Sequence, residues 1–483
     1  MRARLVVGTL LLLAFWLTRL TAVGQFPPFI DEAIHIYYSE VAASGSPLAW
    51  SEDGRQFTIW LYALFQSSAG APIFTARAVT VLATMLGFAA LTGTAGLLAG
   101  QLGALFTGLL LLVSPYHLFF ERLALADPLS AALAMLGLYF AARLVRRASL
   151  KDAALCGFAL FLAGGAKVIA LPLFVIVPAA ALLLPRRGQS WAQRLRWMAA
   201  ALAVGLGLTA LYVGALAALG HNPFTYVFDG GEARAGGALE ALALMLRRVP
   251  DSALRVAEEL AGYLGGAGLA LLVGLMLLAR QRLFLLTVLL VSTLLYLMVG
   301  RVETRHVITT ASLLLLSGGV ALADLLRRRS RALSGAALAL IAAVGLLVWL
   351  PFAAASARDP QRLPLPPADY AQYIASDGSG LGLEELRGAL AARAPRQVIA
   401  LIANCQALRY LSLGTVPVTC PPLNPSGADI PALNDLLQAS RAPGVYAVLE
   451  DIPYVPASAP GRQFLRLEHA VARPAFTIYD LAP

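Results

Sequence analysis

The stretch "FPPFIDEAIHIYYSEVAASG" (residues 26–45) sets two acids, Asp31 and Glu32, side by side directly after an apolar segment. Only 13% of the chain is charged, so an acidic pair at a hydrophobic boundary needs a reason. From Glu32 to Ser44, Ala33, Ile36, Tyr37 and Val41 recur at helical spacing, Asp31 suits a cap and Gly45 a stop. The spacing predicts an amphipathic helix lying at a membrane interface. A second one is expected over "FTIWLYALFQ" (57–66), whose Trp60 and Tyr62 favour the headgroup level.

Outward from this stretch the chain is apolar. Of its 483 residues 59% are hydrophobic, and the mean hydropathy is +0.73. Apolar windows recur through residue 351, each approaching the roughly 20 residues that cross a hydrocarbon core. Hydropathy and charge placement predict about eleven spans. They cover approximately 5–23, 74–96, 103–119, 128–142, 153–166, 168–184, 198–219, 263–279, 283–300, 307–325 and 333–351. The fold class expected is an all-α polytopic membrane bundle with a C-terminal extracytoplasmic α/β domain.

Arginines orient the spans. Arg2 and Arg4, "RLVRRASLK" (143–151), "RRGQSWAQRLR" (186–196), "RQR" (280–282) and "RRRSR" (327–331) fall on alternate sides, which places them inside by the positive-inside rule. The N-terminus is then cytoplasmic, in a plasma (inner) membrane. Residues 24–73, 120–127, 220–262, 300–306 and everything after about 352 face outward. The formal charge of +10 is mostly a topology signal. Nucleic acid is not expected as a partner, because the basic clusters are short, flank spans and lack interleaved aromatics. The first span also resembles a signal peptide, with "AVG" (22–24) as a cleavage site, but its removal would invert every later loop against its arginines.

Residues 1–355 are expected to form the membrane domain, 356–370 a linker stiffened by "RLPLPPAD" (362–369), and 371–483 the outer domain. That last stretch alternates short apolar runs such as "QVIALIA" (397–403), "VPVTC" (416–420), "GVYAVLED" (444–451) and "FTIYDLA" (476–482) with helical ones. Within the loop 220–262, the glycines of "YVFDGGEARAGG" (226–237) suggest a cover, with a plain connector as the alternative. Cys156 reads as a packing residue, whereas Cys405 and Cys420 are candidates for a disulfide in an oxidising exterior.

Ionisable residues near span ends are costly in lipid and point to a site. Asp31, Glu32, His35, Arg77, Arg122, Asp127, Lys167, Glu303, Arg305 and His306 all fall on the expected outer side, and Lys167 is one of only two lysines in the chain. Carboxylates can abstract a proton or bind a divalent metal, and cations can hold a phosphate. Transfer of a sugar from a polyprenyl phosphate to a hydroxyl needs both, since charge grows on the departing phosphate.

The succession "FIDEAIHIYYSEVAASG" (29–45), "GAPIFTARAVTVLATMLG" (70–87), "SPYHLFFERLALADPLSAAL" (114–133), "FLAGGAKVIALPL" (161–173) and "VETRHVIT" (302–309) resembles the dolichyl-phosphate-mannose protein mannosyltransferase superfamily. That group includes the bacterial lipid A aminoarabinose transferase and glycosyltransferase family 39, and the similarity covers roughly residues 1–310. The resemblance implies a C-type glycosyltransferase fold and an inverting transfer, with the carrier-linked sugar as donor and a protein, glycolipid or polysaccharide as acceptor. It implies Asp31 as base with Glu32 as its acidic neighbour, and Asp127 in a second acidic motif five residues after Arg122. Arg77, Arg122 and Lys167 match cations of the family pattern, and Glu303 with Arg305 matches a motif for which phosphate contact is the usual interpretation. Taken with their shared sidedness, Arg77, Arg122, Lys167, Arg305 and His306 are the candidate phosphate contacts, with Glu303 and His35 supporting. Two departures stand out. "RQFTIWLY" (55–62) occupies the place of a Lys-Pro-Pro-Leu segment in many relatives, and His306 stands where tyrosine is commoner.

Each residue also has a structural reading. Asp31 suits a helix cap, and "ADPLSAAL" (126–133) is what an Asp N-cap followed by Pro looks like. Arg122 beside Glu121 and Arg305 near Glu303 suit interfacial ion pairs, Lys167 suits snorkelling, and His35 suits a surface. A divalent ion bridging Asp31, Glu32 or Asp127 to a phosphate would suit hard oxygen ligands, while direct Arg and Lys contacts could suffice, so the sequence leaves the cofactor open. Buried charges would also suit a transporter or lipid flippase, but no repeated halves are visible. A receptor working through its outer domain is the other alternative.

Overall fold

A computed structural model describes residues 2–66, 70–184, 189–225, 238–298, 303–327, 331–359, 362–421, 430–450, 462–467 and 475–482. The expected cover segment 226–237 lies outside them. The chain forms two compact units. One comprises Met1–Val23, Ser44–Leu61 and Arg77–Leu363, the other Gly24–Ala43, Tyr62–Ala76 and Pro364–Pro483.

The first unit is helical. Among the described residues six helices are long and apolar enough to cross a bilayer: Leu5–Gln25, Pro72–Val113, Ala126–Arg147, Trp191–Ala218, Thr304–Arg327 and Gly335–Arg358. Val249–Leu264 and Gly266–Leu278, bent by 109° at their junction, make a seventh if they count as one span. The eleven expected segments are helical where described, but several are shorter or broken. Residues 168–183 are one example. They open as a 3-10 turn, Val168–Val175, with Pro172 inside it, and become α-helix only over Ile176–Leu183. Proline has no N–H to donate and clashes with the preceding turn, so a regular start is blocked.

The apparent 42-residue helix Pro72–Val113 is two helices. Ala99 and Gly100 leave helical geometry, Gly100 at φ +66°, a conformation that glycine adopts without a Cβ penalty. A Cβ on Gly108 would lie 3.3 Å from the Thr92 methyl, so the second half folds back along the first. Arg327 donates to the Ala99 carbonyl at the turn. The helix Ile308–Arg327 is buried on every face through Leu325, as expected of an element at the centre of its unit.

In the second unit a five-stranded mixed sheet comprises β1 (Gln397–Leu401), β2 (Val418–Thr419), β3 (Val445–Glu450), β4 (Arg462–Leu467) and β5 (Phe476–Asp480). The strand order is β2-β1-β3-β5-β4, with β1 parallel to β2 and β3, and β5 antiparallel to β3 and β4. Ile399, Val445, Ala447, Leu437 and Leu481 form an apolar cluster on it. Cys405 and Cys420 are joined by a disulfide, their Cα atoms 5.8 Å apart.

Candidate functional site

In the first unit the helix Leu150–Ala166 ends in two glycines that admit close neighbours. A Cβ on Gly165 would overlap the Phe57 ring, and one on Gly164 would meet Leu171. Lys167 then turns to extended backbone (φ −155°, ψ 115°). Its neighbours are pinned by the loop 54–58: Val168 N–H donates to the Gly54 carbonyl (2.9 Å) and the Thr58 hydroxyl to that of Ala166 (3.0 Å). Gly54 itself sits at φ +67°, and a Cβ there would collide with the Val168 side chain.

The helix Ala126–Arg147 supplies the partner. The Ser130 hydroxyl donates to the Ala163 carbonyl (2.9 Å), which ties the two helices where Asp127 meets the lysine. Lys167 Nζ and Asp127 Oδ1 form a buried ion pair of 2.5 Å. His306 Nε2 is 4.0 Å from the same oxygen and, among the described residues, has no hydrogen-bond partner. Arg305 Nη2 pairs with Glu303 Oε2 at 2.5 Å, and the turn Thr304–Val307 is held by the Tyr116 hydroxyl donating to the Thr304 carbonyl.

The charges of Arg305 and Arg55 act on Lys167 as well. Burial pulls the Lys167 ammonium down to about 8, against the opposing pull of Asp127 and in the same direction as the two arginines. Arg55 is a member of this cluster that the sequence reading did not single out. It is buried and pairs with Asp53 (Nε–Oδ2 2.8 Å). Its signal lay in "DGR" (53–55), a turn glycine between an acid and a base, at the start of the segment that departs from the resemblance.

The structure therefore brings together Asp127, Lys167, Glu303, Arg305 and His306 with Arg55. Two other expected cations sit on carbonyls. Arg77, fully buried, donates to Val23 O (2.8 Å). Arg122 donates to Thr18 O (2.6 Å), Thr21 O (2.8 Å) and Ser356 O (3.1 Å). Burial, reinforced by Arg19, lowers its guanidinium to about 9. Glu121 pairs with Arg19 (3.0 Å) rather than with its neighbour Arg122, and Arg19 also caps the carbonyls of Leu111 and Leu112, both at 2.8 Å. Arg122→Ala should lower thermal stability by about 1–3 kcal/mol, the cost of stranding buried polar groups. The unfolding midpoint in detergent checks this, and an unchanged midpoint would contradict it.

Asp31, Glu32 and His35 lie on the helix Ile30–Ala43 of the second unit. The cap expected from Asp31 is made by Glu32, whose Oε2 accepts from the Phe29 N–H (2.9 Å), one turn back where a helix start leaves its N–H groups unpaired. Asp31 is left half-buried. His35 is buried, not on the surface, because it shares the face of Glu32 and Ile36, and its ring centroid is 6.4 Å from that of Tyr62. Nor is Asp127 an N-cap: Leu125 holds that position, and Asp127 falls within the first turn, facing the lysine. Among the described residues no three His, Cys, Asp or Glu side chains converge as metal ligands.

No protein-family model matches the chain, and no curated protein matches it in sequence. Solved structures do. The chain is similar to ArnT from Cupriavidus metallidurans bound to undecaprenyl phosphate, with 18% identity, 99% of this chain and 98% of that one covered, and a TM-score of 0.55. Against the apo state of that protein the identity is 16%, the coverage 99% and 98%, and the TM-score 0.57. The oligosaccharyltransferase from Archaeoglobus fulgidus in complex with Zn and sulfate is similar at 12% identity, 92% and 68% coverage and a TM-score of 0.51. At such identities the likeness shows the fold, and the fold is that of the C-type glycosyltransferases. With its long apolar helices, the chain is a multi-pass membrane protein.

Proposed function

We propose, taking the C-type glycosyltransferase fold as premise, that the chain transfers a sugar from a polyprenyl-phosphate carrier to an acceptor hydroxyl at the outer face of a bacterial inner membrane. The observation that carries this reading is the buried Lys167–Asp127 pair with His306 beside it and with Arg305 and Arg55 within electrostatic reach of the lysine. Cations are expensive in an apolar bundle, and three of them together repel. A phosphate monoanion entering there would be attracted by all three cations at once, each already held by one carboxylate, and His306 Nε2, which among the described residues has no hydrogen-bond partner, offers it a further hydrogen bond. Asp127, Glu303 and Asp53 each hold one cation in place.

Charge accumulates on the phosphate oxygen as the glycosidic bond breaks, and fixed cations stabilise that state more than the ground state. A single displacement by the acceptor oxygen inverts the anomeric centre and needs one base. The resemblance assigns that role to Asp31. The acceptor is a protein, glycolipid or polysaccharide hydroxyl.

Because Lys167 keeps its proton below about pH 8 and loses it above, kcat/KM for the donor should fall roughly tenfold per unit on the alkaline side of pH 8. Lys167→Arg should move this limb beyond the accessible range; an identical limb in that variant would assign it elsewhere. The function itself is tested by offering the purified protein a panel of undecaprenyl-phosphate hexoses and pentoses with membrane extract as acceptor. Release of undecaprenyl phosphate matched by a new glycoside is expected, whereas labelled lipid or solute crossing vesicles with no glycoside formed would indicate transport.

A further inference from the structure

We infer that the C-terminal part of the second unit is a positioning device for the helix that carries Asp31, gripping it at both ends. This rests on the reading of Asp31 as the base. At the front end, the buried Asn404 donates through Nδ2 to two carbonyls, Pro28 O (2.7 Å) and Gly378 O (3.1 Å). The Gly378 carbonyl also accepts from the N–H of Ile30, the first residue of the helix (2.9 Å). Gly380 lies so close to Pro28 that a Cβ there would overlap the proline ring and carbonyl. Phe29 packs on Tyr373, ring centroids 4.6 Å apart. One amide thus fastens the residues just before Asp31 to the turn 376–380.

At the far end, Glu40 Oε2 accepts from Arg409 Nη2 (2.8 Å) and from the Tyr410 hydroxyl (2.9 Å). Nine residues of α-helix separate Glu40 from Asp31, which at 3.6 residues per turn is about 180° of rotation. The grip is therefore on the back of the helix relative to Asp31. Ile30 and Glu40 are about 15 Å apart along the axis, so two attachments fix both tilt and roll. Arg409 and Tyr410 lie on the helix Cys405–Leu411, whose first residue is cross-linked to Cys420. Asn404 immediately precedes it, so one disulfide-anchored segment supplies both attachments.

Full-length protein in nanodiscs tests this with Glu40→Leu, with the exchange pair Glu40→Arg and Arg409→Glu, and with Asn404→Ala. Glu40→Leu should lower kcat roughly 10- to 100-fold, the scale of a misplaced catalytic group. KM for the donor and binding of undecaprenyl phosphate should hold, and the exchange pair should restore kcat. Amide hydrogen exchange over residues 30–43 should accelerate in Glu40→Leu and Asn404→Ala, a readout independent of turnover. Unchanged exchange there, or a kcat that does not move, would overturn the inference, and so would a loss shared equally by KM. Should Asn404→Ala fail to fold, the Glu40 exchange pair decides. The two failures stay apart: turnover retained by Asp31→Asn overturns the base assignment itself, whereas Asp31→Asn inactive with Glu40→Leu at full kcat overturns only the positioning.

Discussion

Asp31→Asn should reduce transfer by roughly two to four orders of magnitude, the usual contribution of a positioned proton acceptor. The substitution keeps size and shape and removes only the ability to take the acceptor's proton. Glu32 cannot stand in, because it is fully buried and its carboxylate is bound to the Phe29 N–H. The defect should lie in kcat, with donor KM and undecaprenyl phosphate binding close to wild type, since the carrier phosphate is assigned to other residues. Asp31→Glu should retain partial activity with an altered pH profile. Quantified glycoside formation under saturating donor checks this, and near-wild-type kcat in Asp31→Asn would remove the base from the mechanism.

The second large effect concerns the pair Lys167–Asp127. Lys167→Met strands a buried carboxylate, and Asp127→Leu strands a buried ammonium. Each should cost about 3–5 kcal/mol of stability, because one charge is left without its partner in an apolar setting. The double variant Lys167→Met with Asp127→Leu should recover most of that stability, as apolar replacements for buried ion pairs often do. Carrier binding should not recover with it, since the phosphate's cation is gone. A structural pair and a ligand-binding pair differ in this respect: the first predicts rescue of both properties, the second rescue of stability alone. Unfolding midpoints in detergent, read beside undecaprenyl phosphate binding, separate them.

Much of this was legible in sequence because membrane proteins write their folds in composition. Apolar windows must be long enough to span lipid, and cations in them must have partners, so Lys167, Asp127, Arg305 and His306 stood out against their surroundings. Pairing was less legible. Arg122 was expected at a phosphate, yet its donors meet the carbonyls of Thr18, Thr21 and Ser356, and that choice depends on how distant helices close. Arg55 was passed over because its segment lacks the expected lysine, although the glycine turn before it packs against Val168 and brings the arginine within electrostatic reach of Lys167. Nor could the sequence show that Glu32 rather than Asp31 caps the first-loop helix. Adjacent acids are interchangeable to propensity, and the start of the helix at Ile30 decides between them. The break inside Pro72–Val113, by contrast, was legible: the apolar windows 74–96 and 103–119 leave a gap between them, and the backbone departs from helical geometry within it, at Ala99 and Gly100.

The measurement closest to the central claim is equilibrium binding of radiolabelled undecaprenyl phosphate, and of undecaprenol, to the protein in nanodiscs. Saturable binding of the phosphate and none of the alcohol is expected, falling at least tenfold when Lys167 and Arg305 are both replaced by Met, with Arg55→Met giving a smaller loss in the same direction. Equal binding of the two lipids, or wild-type affinity after the cations are removed, would contradict the assignment of this cluster to a carrier phosphate.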